Sequence, residues 1–444
     1  MLINVDSTIH MAHFISSHEA CRWLGIRRET LYAYVSRGLV RSFPATSKGR
    51  GRRYLREDIV RLKARHDARS GHGPVAAGAL RWGEPVLDSS ITEITVDGPR
   101  YRGELAVDLV ARRTQFERVA ELLLTGALPD AAPNWAAATI PEAEMQYAMR
   151  RVRRPYARLP LLLATWGLVS RSTGRAGRTG RTAASSESIR RAARPLLAAL
   201  PWIIKPELWP LARSRTPSMA ERICILLKRA VLPERVRLID AALVLSADHE
   251  LNVSSFAARV VASSGADVYA VLSAAVAAFS GPRHGTGSDE IEELLKTVAH
   301  PRRARSIVSG YAQRDEKLPG FGHRFYPQGD PRGRQLIELA SALAPDKPEL
   351  RTLAAIISAA ERELNQRPTF DVGLVAAALA LGAPRGTAST LFALGRSAGW
   401  IAHTLEQCES GVLIRPRARY VANLEEESAR DQVFEVPEGR HRPY

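Results

Sequence analysis

The chain has 444 residues, 45% of them hydrophobic and 25% charged, with a formal net charge of +17. That is the composition of a globular chain of roughly two or three domains, too long for one ordinary core. No apolar run reaches the roughly 18 residues of a membrane span, the first ten residues lack a signal core, and three scattered cysteines (Cys21, Cys224, Cys408) without a CxxC pair argue against a disulfide framework or a zinc site. The expectation is a cytoplasmic protein with no membrane partner and no metal.

Residues 1–82 hold fifteen Arg or Lys against six Asp or Glu, so nine of the seventeen surplus charges sit there. Such a surplus favours a polyanionic partner. Ser16 and Glu19 stand at capping-box spacing, and Ala20, Trp23 and Leu24 recur at helical spacing, which predicts a helix broken by Gly25. Residues 27–36 (RRETLYAYVS) predict a second short helix with Leu31 and Val35 on one face, ended by Gly38. Two short helices about a glycine turn are the helix–turn–helix layout. Residues 46–54 predict a basic β-wing, and a third helix is expected from Arg56 to about Arg69. The phrase TLYAYVSRGLVRS…GRRYLREDIVRL resembles the MerR-type or excisionase-type winged helix–turn–helix. That resemblance implies that Arg27, Arg28, Thr30 and Tyr34 face DNA, with Lys48, Arg50, Arg52 and Arg53 on its phosphates. A small helical domain used for protein contacts is the alternative.

The first domain is placed at residues 1–70 and a Gly/Ala-rich linker at 71–84. Residues 87–101 are β-branched with an Asp97-Gly98 turn and predict a hairpin. From Ala106 the chain is Ala/Leu-rich, and residues 116–124 and 238–245 carry apolar side chains at i, i+3 and i+4. Residues 268–279 are apolar nearly all round and predict a fully buried helix. The Ser/Gly/Arg-rich residues 170–191 have little to bury and predict a solvated loop. The domain from 85 to 444 is therefore nearly all-α.

Four pieces of it concentrate chemistry-bearing side chains. They are DHELNVS (248–254), SGPRHGTG (280–287), KLPGFGHRFYPQGDPRGR (317–334), and RPTFD (367–371) followed by GRSAGWIAH (395–403). Glycine and proline keep the third piece irregular and let a ligand approach its backbone. In this order and spacing the pieces, with FERVAELLLTGALP and IRPRARY outside them, resemble the citrate synthase family over nearly all of residues 85–425. The resemblance implies a mainly α, two-domain helical fold behind an N-terminal winged helix–turn–helix. Its large domain would span about 85–280 and 390–444 and its small domain about 281–389.

It also implies a homodimer that joins an acyl-CoA to oxaloacetate and hydrolyses the thioester, with no cofactor beyond the acyl-CoA substrate. A methyl group beside a thioester is a very weak acid, so a base and an enolate stabiliser are both needed. By resemblance Asp371, just before a helix at 372–381, is the base. His284 donates to the thioester oxygen, and His323 polarises and protonates the oxaloacetate carbonyl. His249, Arg332 and Arg396 bind the oxaloacetate carboxylates, and Arg415 reaches in from the partner subunit. Asn252 is a weaker candidate beside His249. The sequence departs from common members at Thr369, at Pro327, where animal-type members carry a CoA-phosphate Arg, and at Arg283. Acetyl-CoA is the expected substrate. Propionyl-CoA (a 2-methylcitrate synthase) and a DNA-binding regulator that senses these metabolites stay open.

Overall fold

A computed structural model of the chain describes residues 14–44, 52–56, 58–59, 62, 87–138, 152, 155–172, 185–213, 218–282 and 284–416. Lys48, Arg50, Arg283, residues 71–84 and most of the Ser/Gly/Arg-rich segment lie outside them, as do most residues expected in the third N-terminal helix. Contacts divide the chain into two compact units, between Asp88 and Ser89.

In the first unit, β1 (Phe14–Ser16) leads into α1 (Ser17–Leu24). The capping box forms as the sequence predicts: Glu19 N–H donates to Ser16 Oγ at 3.2 Å, and Ser16 N–H donates to Glu19 Oε2 at 2.9 Å. Gly25, at φ 63°, ends α1 in the left-handed region. α2 (Arg28–Ser36) follows, then β2 (Ser42–Pro44) and β3 (Arg52–Leu55). The antiparallel sheet has the order β1-β3-β2, with Phe14 opposite Leu55 and Phe43 opposite Arg53. Ile15, Ala20, Leu24, Leu31, Val40, Tyr54 and Ile59 form its core. Asp58 ties the backbone to this core. Its carboxylate takes Arg41 Nε at 2.9 Å, Nη2 at 3.0 Å and the Arg41 backbone N–H at 2.9 Å.

Tyr34 is half-buried. Tyr34 and Val35 share the face of α2 that carries Leu31, three and four residues along, and both pack on the core. The exposed aromatic of α2 is Tyr32, one turn from the exposed Arg28.

The second unit opens with an antiparallel meander, β4 (Thr92–Thr95), β5 (Gly98–Tyr101) and β6 (Glu104–Leu105). Its third strand lies beyond the expected hairpin. Helices α3 (Ala106–Ala111), α4 (Phe116–Thr125), α5 (Leu159–Ser172), α6 (Ser186–Ala199), α7 (Trp209–Arg213) and α8 (Met219–Leu226) come next. They are followed by α9 (Pro233–Ser246), α10 (Val253–Ser263), α11 (Val268–Phe279), α12 (Gly287–Val298) and α13 (Ala304–Gln313). The last four are α14 (Pro331–Leu343), α15 (Pro348–Leu364), α16 (Phe370–Ala380) and α17 (Thr387–Ser410). Among the described residues no helix is long and apolar enough to cross a membrane.

α17 runs through the centre and packs against α4, α6, α9, α10, α11 and α16. It is buried almost continuously from Thr387 to Leu405. Two glycines allow the close approach to α9: a Cβ at Gly395 would strike the Leu243 carbonyl oxygen, and one at Gly399 the Ala247 carbonyl oxygen. α11 is not buried all round as predicted. Val271, Leu272, Ala275, Val276 and Phe279 face the core, while Ala277 is exposed. An alanine-rich surface reads as apolar in sequence without being enclosed.

Candidate active site

Six of the seven side chains expected in the site converge, and loops between helices deliver three of them. His249 lies in the loop from α9 to α10, and His284 in the turn between α11 and α12. His323 lies in the long loop before α14. Arg332 stands in the first turn of α14, Asp371 in the first turn of α16, and Arg396 on the central α17. The helix carrying Asp371 begins at Phe370, two residues earlier than expected, so the carboxyl is inside the first turn.

Ring and hydrogen-bond contacts link the group. His249 and His323 have ring centroids 6.1 Å apart, and His249 Nε2 is 3.0 Å from the Tyr326 hydroxyl. The Arg332 guanidinium lies 4.5 Å from the Phe370 ring centre, beside Asp371. Phe370 meets Phe392 at 5.6 Å, Arg396 covers Phe392 at 4.9 Å, and Phe279 bridges Phe392 to His284 at 5.1 and 5.7 Å.

The three histidines are held neutral. Burial first, then the positive Arg332 and Arg396, push His249 well below its ordinary value. Burial and Arg396 bring His284 down to about 4. Burial also lowers His323. The Phe325 N–H donates to His323 Nδ1 at 3.2 Å, so the proton of the neutral ring sits on Nε2. Nε2–H is thus a fixed donor for a carbonyl oxygen.

His284 Nε2 is 2.8 Å from Ser254 Oγ, which also receives the Trp400 indole N–H at 2.9 Å and lies 2.7 Å from Asn252 Oδ1. The Ser254 hydroxyl has one proton and two acceptors to choose from. When it donates to Nε2, the ring proton is on Nδ1 and His284 becomes a donor through that atom. Asn252 itself caps α10, its Oδ1 accepting from the Ser254 and Ser255 N–H groups at 3.0 and 3.1 Å. Its Nδ2 has no hydrogen-bond partner among the described residues.

Asp371 behaves differently from a surface carboxylate. The first turn of a helix favours its charge, and Ser288 Oγ donates to Oδ1 at 3.1 Å. Burial outweighs both and raises it to about 6. A carboxylate at that value is ionised at neutral pH and is a stronger base than an exposed one.

The two arginines are buried, at 3% and 1% exposure, so what each leaves unpaired matters. Asp330 takes Arg332 Nε at 3.0 Å and Nη2 at 2.7 Å, leaving Nη1 for a ligand. Arg396 donates Nε to the Ser246 carbonyl at 2.7 Å and has no carboxylate partner among the described residues. Burial pulls it down to about 10. Arg332 Nη1 and the outer nitrogens of Arg396 are thus the guanidinium groups that could receive a carboxylate.

Arg415 is exposed and touches none of these side chains in its own chain. Ser254, Ser288, Tyr326 and Asp330 belong to the site without having been predicted. Asp330 alone had a local signal, the spacing Asp-Pro-Arg within the third motif. A cavity of about 390 Å³, lined by Thr114, Arg237 and Asp240 among others, contains none of the site residues. The grouped side chains, rather than cavity size, locate the chemistry.

Comparison with known proteins bears on the family and the fold. Residues 79–417 match the family described as citrate synthase, C-terminal domain. Citrate synthase 2 of Bacillus subtilis is 34% identical over 191 residues, 42% of this chain and 51% of that protein. The chain thus spans about half the length of the first curated relatives it matches. The 2-methylcitrate synthase of Shewanella oneidensis is 29% identical over 359 residues, 78% of this chain and 94% of that protein. The citrate synthase of Thermoplasma acidophilum, solved with carboxymethyl coenzyme A and oxaloacetate, superposes with a TM-score of 0.66 over 76% of this chain and 94% of that one, at 24% identity.

Proposed function

From its membership of the citrate synthase family, we propose that this chain condenses acetyl-CoA with oxaloacetate to give citrate and CoA. The observation that carries the reading is the joint state of the site: a carboxyl raised to about 6 at Asp371, within one group with neutral His284 and His323 and two buried arginines. Asp371 takes a proton from the methyl carbon of the thioester, and His284 donates a hydrogen bond to the enolate oxygen. Arg332 and Arg396 hold the oxaloacetate carboxylates, with His249 beside them. His323 Nε2–H polarises the ketone and yields its proton as the carbon–carbon bond forms. Water then cleaves the thioester, releasing CoA. CoA release from acetyl-CoA plus oxaloacetate tests this directly. A folded protein inactive with both acetyl-CoA and propionyl-CoA rules it out, and a preference for propionyl-CoA assigns 2-methylcitrate synthesis instead.

The acidic limb of kcat/KM is expected near pH 6. Asp371 must be ionised, so activity falls as pH drops through about 6. His284, already neutral above about 4, adds no further limb up to pH 8. A pH–rate profile with its limb above pH 7 contradicts this assignment.

Arg415 is proposed to complete the site of a second copy. Mixing Arg415→Ala chains with Asp371→Asn chains, each nearly inactive, is then expected to restore activity. One of the two sites in each mixed dimer combines an intact Asp371 with an intact Arg415. No recovery after subunit exchange places Arg415 outside the site.

The N-terminal unit supports a second reading, DNA binding. Arg22, Arg27, Arg28 and Tyr32 are exposed on a body with its own core, while Arg41 is engaged with Asp58. Arg52 is exposed, Arg53 and Thr30 are half-buried, and Arg50 lies outside the described residues. Duplex affinity that falls steeply with salt and is lost on deleting residues 1–75 supports it. Unchanged kinetics after the same deletion argue against a role in gating the enzyme.

A further inference from the structure

The loop that carries His249 is gripped by one side of α17. Arg396 Nε donates to the Ser246 carbonyl at 2.7 Å, and the Gly399 N–H donates to the Ala247 carbonyl at 3.0 Å. One turn further on, His403 Nε2 lies 3.4 Å from Asp248 Oδ2. These positions, 396, 399 and 403, share a helix face. Asp248 is the residue before His249. Its Oδ2 also accepts the Glu250 N–H at 3.1 Å, and Glu250 is held at φ 57°, in the left-handed region. The Tyr101 hydroxyl lies between the Val244 and Asp248 carbonyl oxygens, 3.0 and 3.2 Å away, and its one proton is shared between them. The peptide units on both sides of His249 are therefore fixed through Asp248.

His403 and Asp248 are both 0% exposed. His403 Nδ1 has no hydrogen-bond partner among the described residues, and its Nε2 meets Asp248 at a long 3.4 Å. A buried pair satisfied so incompletely costs stability relative to apolar side chains of the same shape. An Asp–His pair placed here for packing alone is a poor solution. The same pair is a good one if the conformation of the next residue is what matters.

We propose that His403, acting through Asp248, is a positioning residue that sets the orientation of His249 and hence the affinity for oxaloacetate. The inference rests on the proposed condensation, in which His249 contacts oxaloacetate. His403 itself touches no substrate.

The test compares His403→Leu, His403→Gln and His403→Asn in the full-length protein. The Gln amide nitrogen can stand where the imidazole Nε2 stood, whereas the Asn amide is too short to reach it. His403→Leu and His403→Asn are expected to weaken oxaloacetate about tenfold, read as KM and as Kd by calorimetry. KM for acyl-CoA is expected to stay within about twofold, and His403→Gln to recover most of the loss. If the Leu variant does not fold, the Gln–Asn pair gives the same comparison. Equal oxaloacetate affinity in Gln and Asn variants, with only their melting temperatures changed, overturns the positioning role and leaves the proposed activity standing. Failure of the wild-type protein to bind oxaloacetate overturns the activity and the positioning role together.

Discussion

Asp371→Asn is expected to lower kcat by about 10³-fold and, at pH 7.5, to raise the melting temperature. The two effects have one cause. Burial lifts the Asp371 carboxyl from its ordinary 3.8 to about 6. A group raised in the folded state contributes stability that is full below its ordinary value and is lost as pH climbs through the folded value. Above pH 6 the ionised carboxylate is thus a cost to folding, kept for catalysis. Asparagine removes the charge and retains an oxygen for the Ser288 hydroxyl. It cannot accept a proton from carbon, and loss of a positioned base costs about 10²–10⁴-fold in rate. The stabilisation should vanish near pH 4, where aspartate is itself neutral. Thermal melts at both pH values, alongside kcat, check this. A variant within tenfold of wild-type kcat, or one equally stabilised at pH 4, contradicts it.

Arg396→Met is expected to raise KM for oxaloacetate about 10²-fold or more, with a far smaller effect on KM for acyl-CoA. Arg396 is 1% exposed, and among the described residues its one hydrogen bond goes to a backbone carbonyl. Its outer nitrogens are the unsatisfied part of a buried cation, so a bound carboxylate gains a desolvated, charge-assisted partner. Removing one member of such a pair costs about 2–5 kcal/mol of binding. Methionine fills the volume and keeps contact with Phe392, so the fold is expected to survive. Melting temperature and the two KM values, measured together, decide the matter. An unchanged KM for oxaloacetate removes Arg396 from the substrate site.

Local signals carried much of this into the sequence. Ser16 with Glu19, and Gly25, are rules about neighbours, and α1 follows them. The motif residues His249, His284, His323, Arg332, Asp371 and Arg396 were visible because each sits in an unusual local string. What stayed hidden depends on distance. Nothing in residues 14–16 announces that they pair with residues 53–55. Ser254 looks like an ordinary helix-start serine until Trp400, 146 residues on, donates to it. Tyr34 and Tyr32 are equivalent in composition, and only the packing of α2 decides which rests against the core and which is exposed. The state of Asp371 was legible in part: its place near a helix start was expected, but the sequence could not show that burial outweighs the helix end.

The grip of α17 on the loop of residues 246–254 also orders events during synthesis. The contacts that fix this loop join positions about 150 residues apart. The ribosome makes the chain from its N-terminus, so α9, α10 and the loop between them emerge long before α17 exists. Until residue 403 has left the exit tunnel, the Asp248 carboxylate has no imidazole to meet, and Ser254 has no indole donor. Long-range closures of this kind form late. A nascent chain truncated just before α17 should thus lack the contacts that fix His249 and orient His284, and these can form only once α17 has emerged.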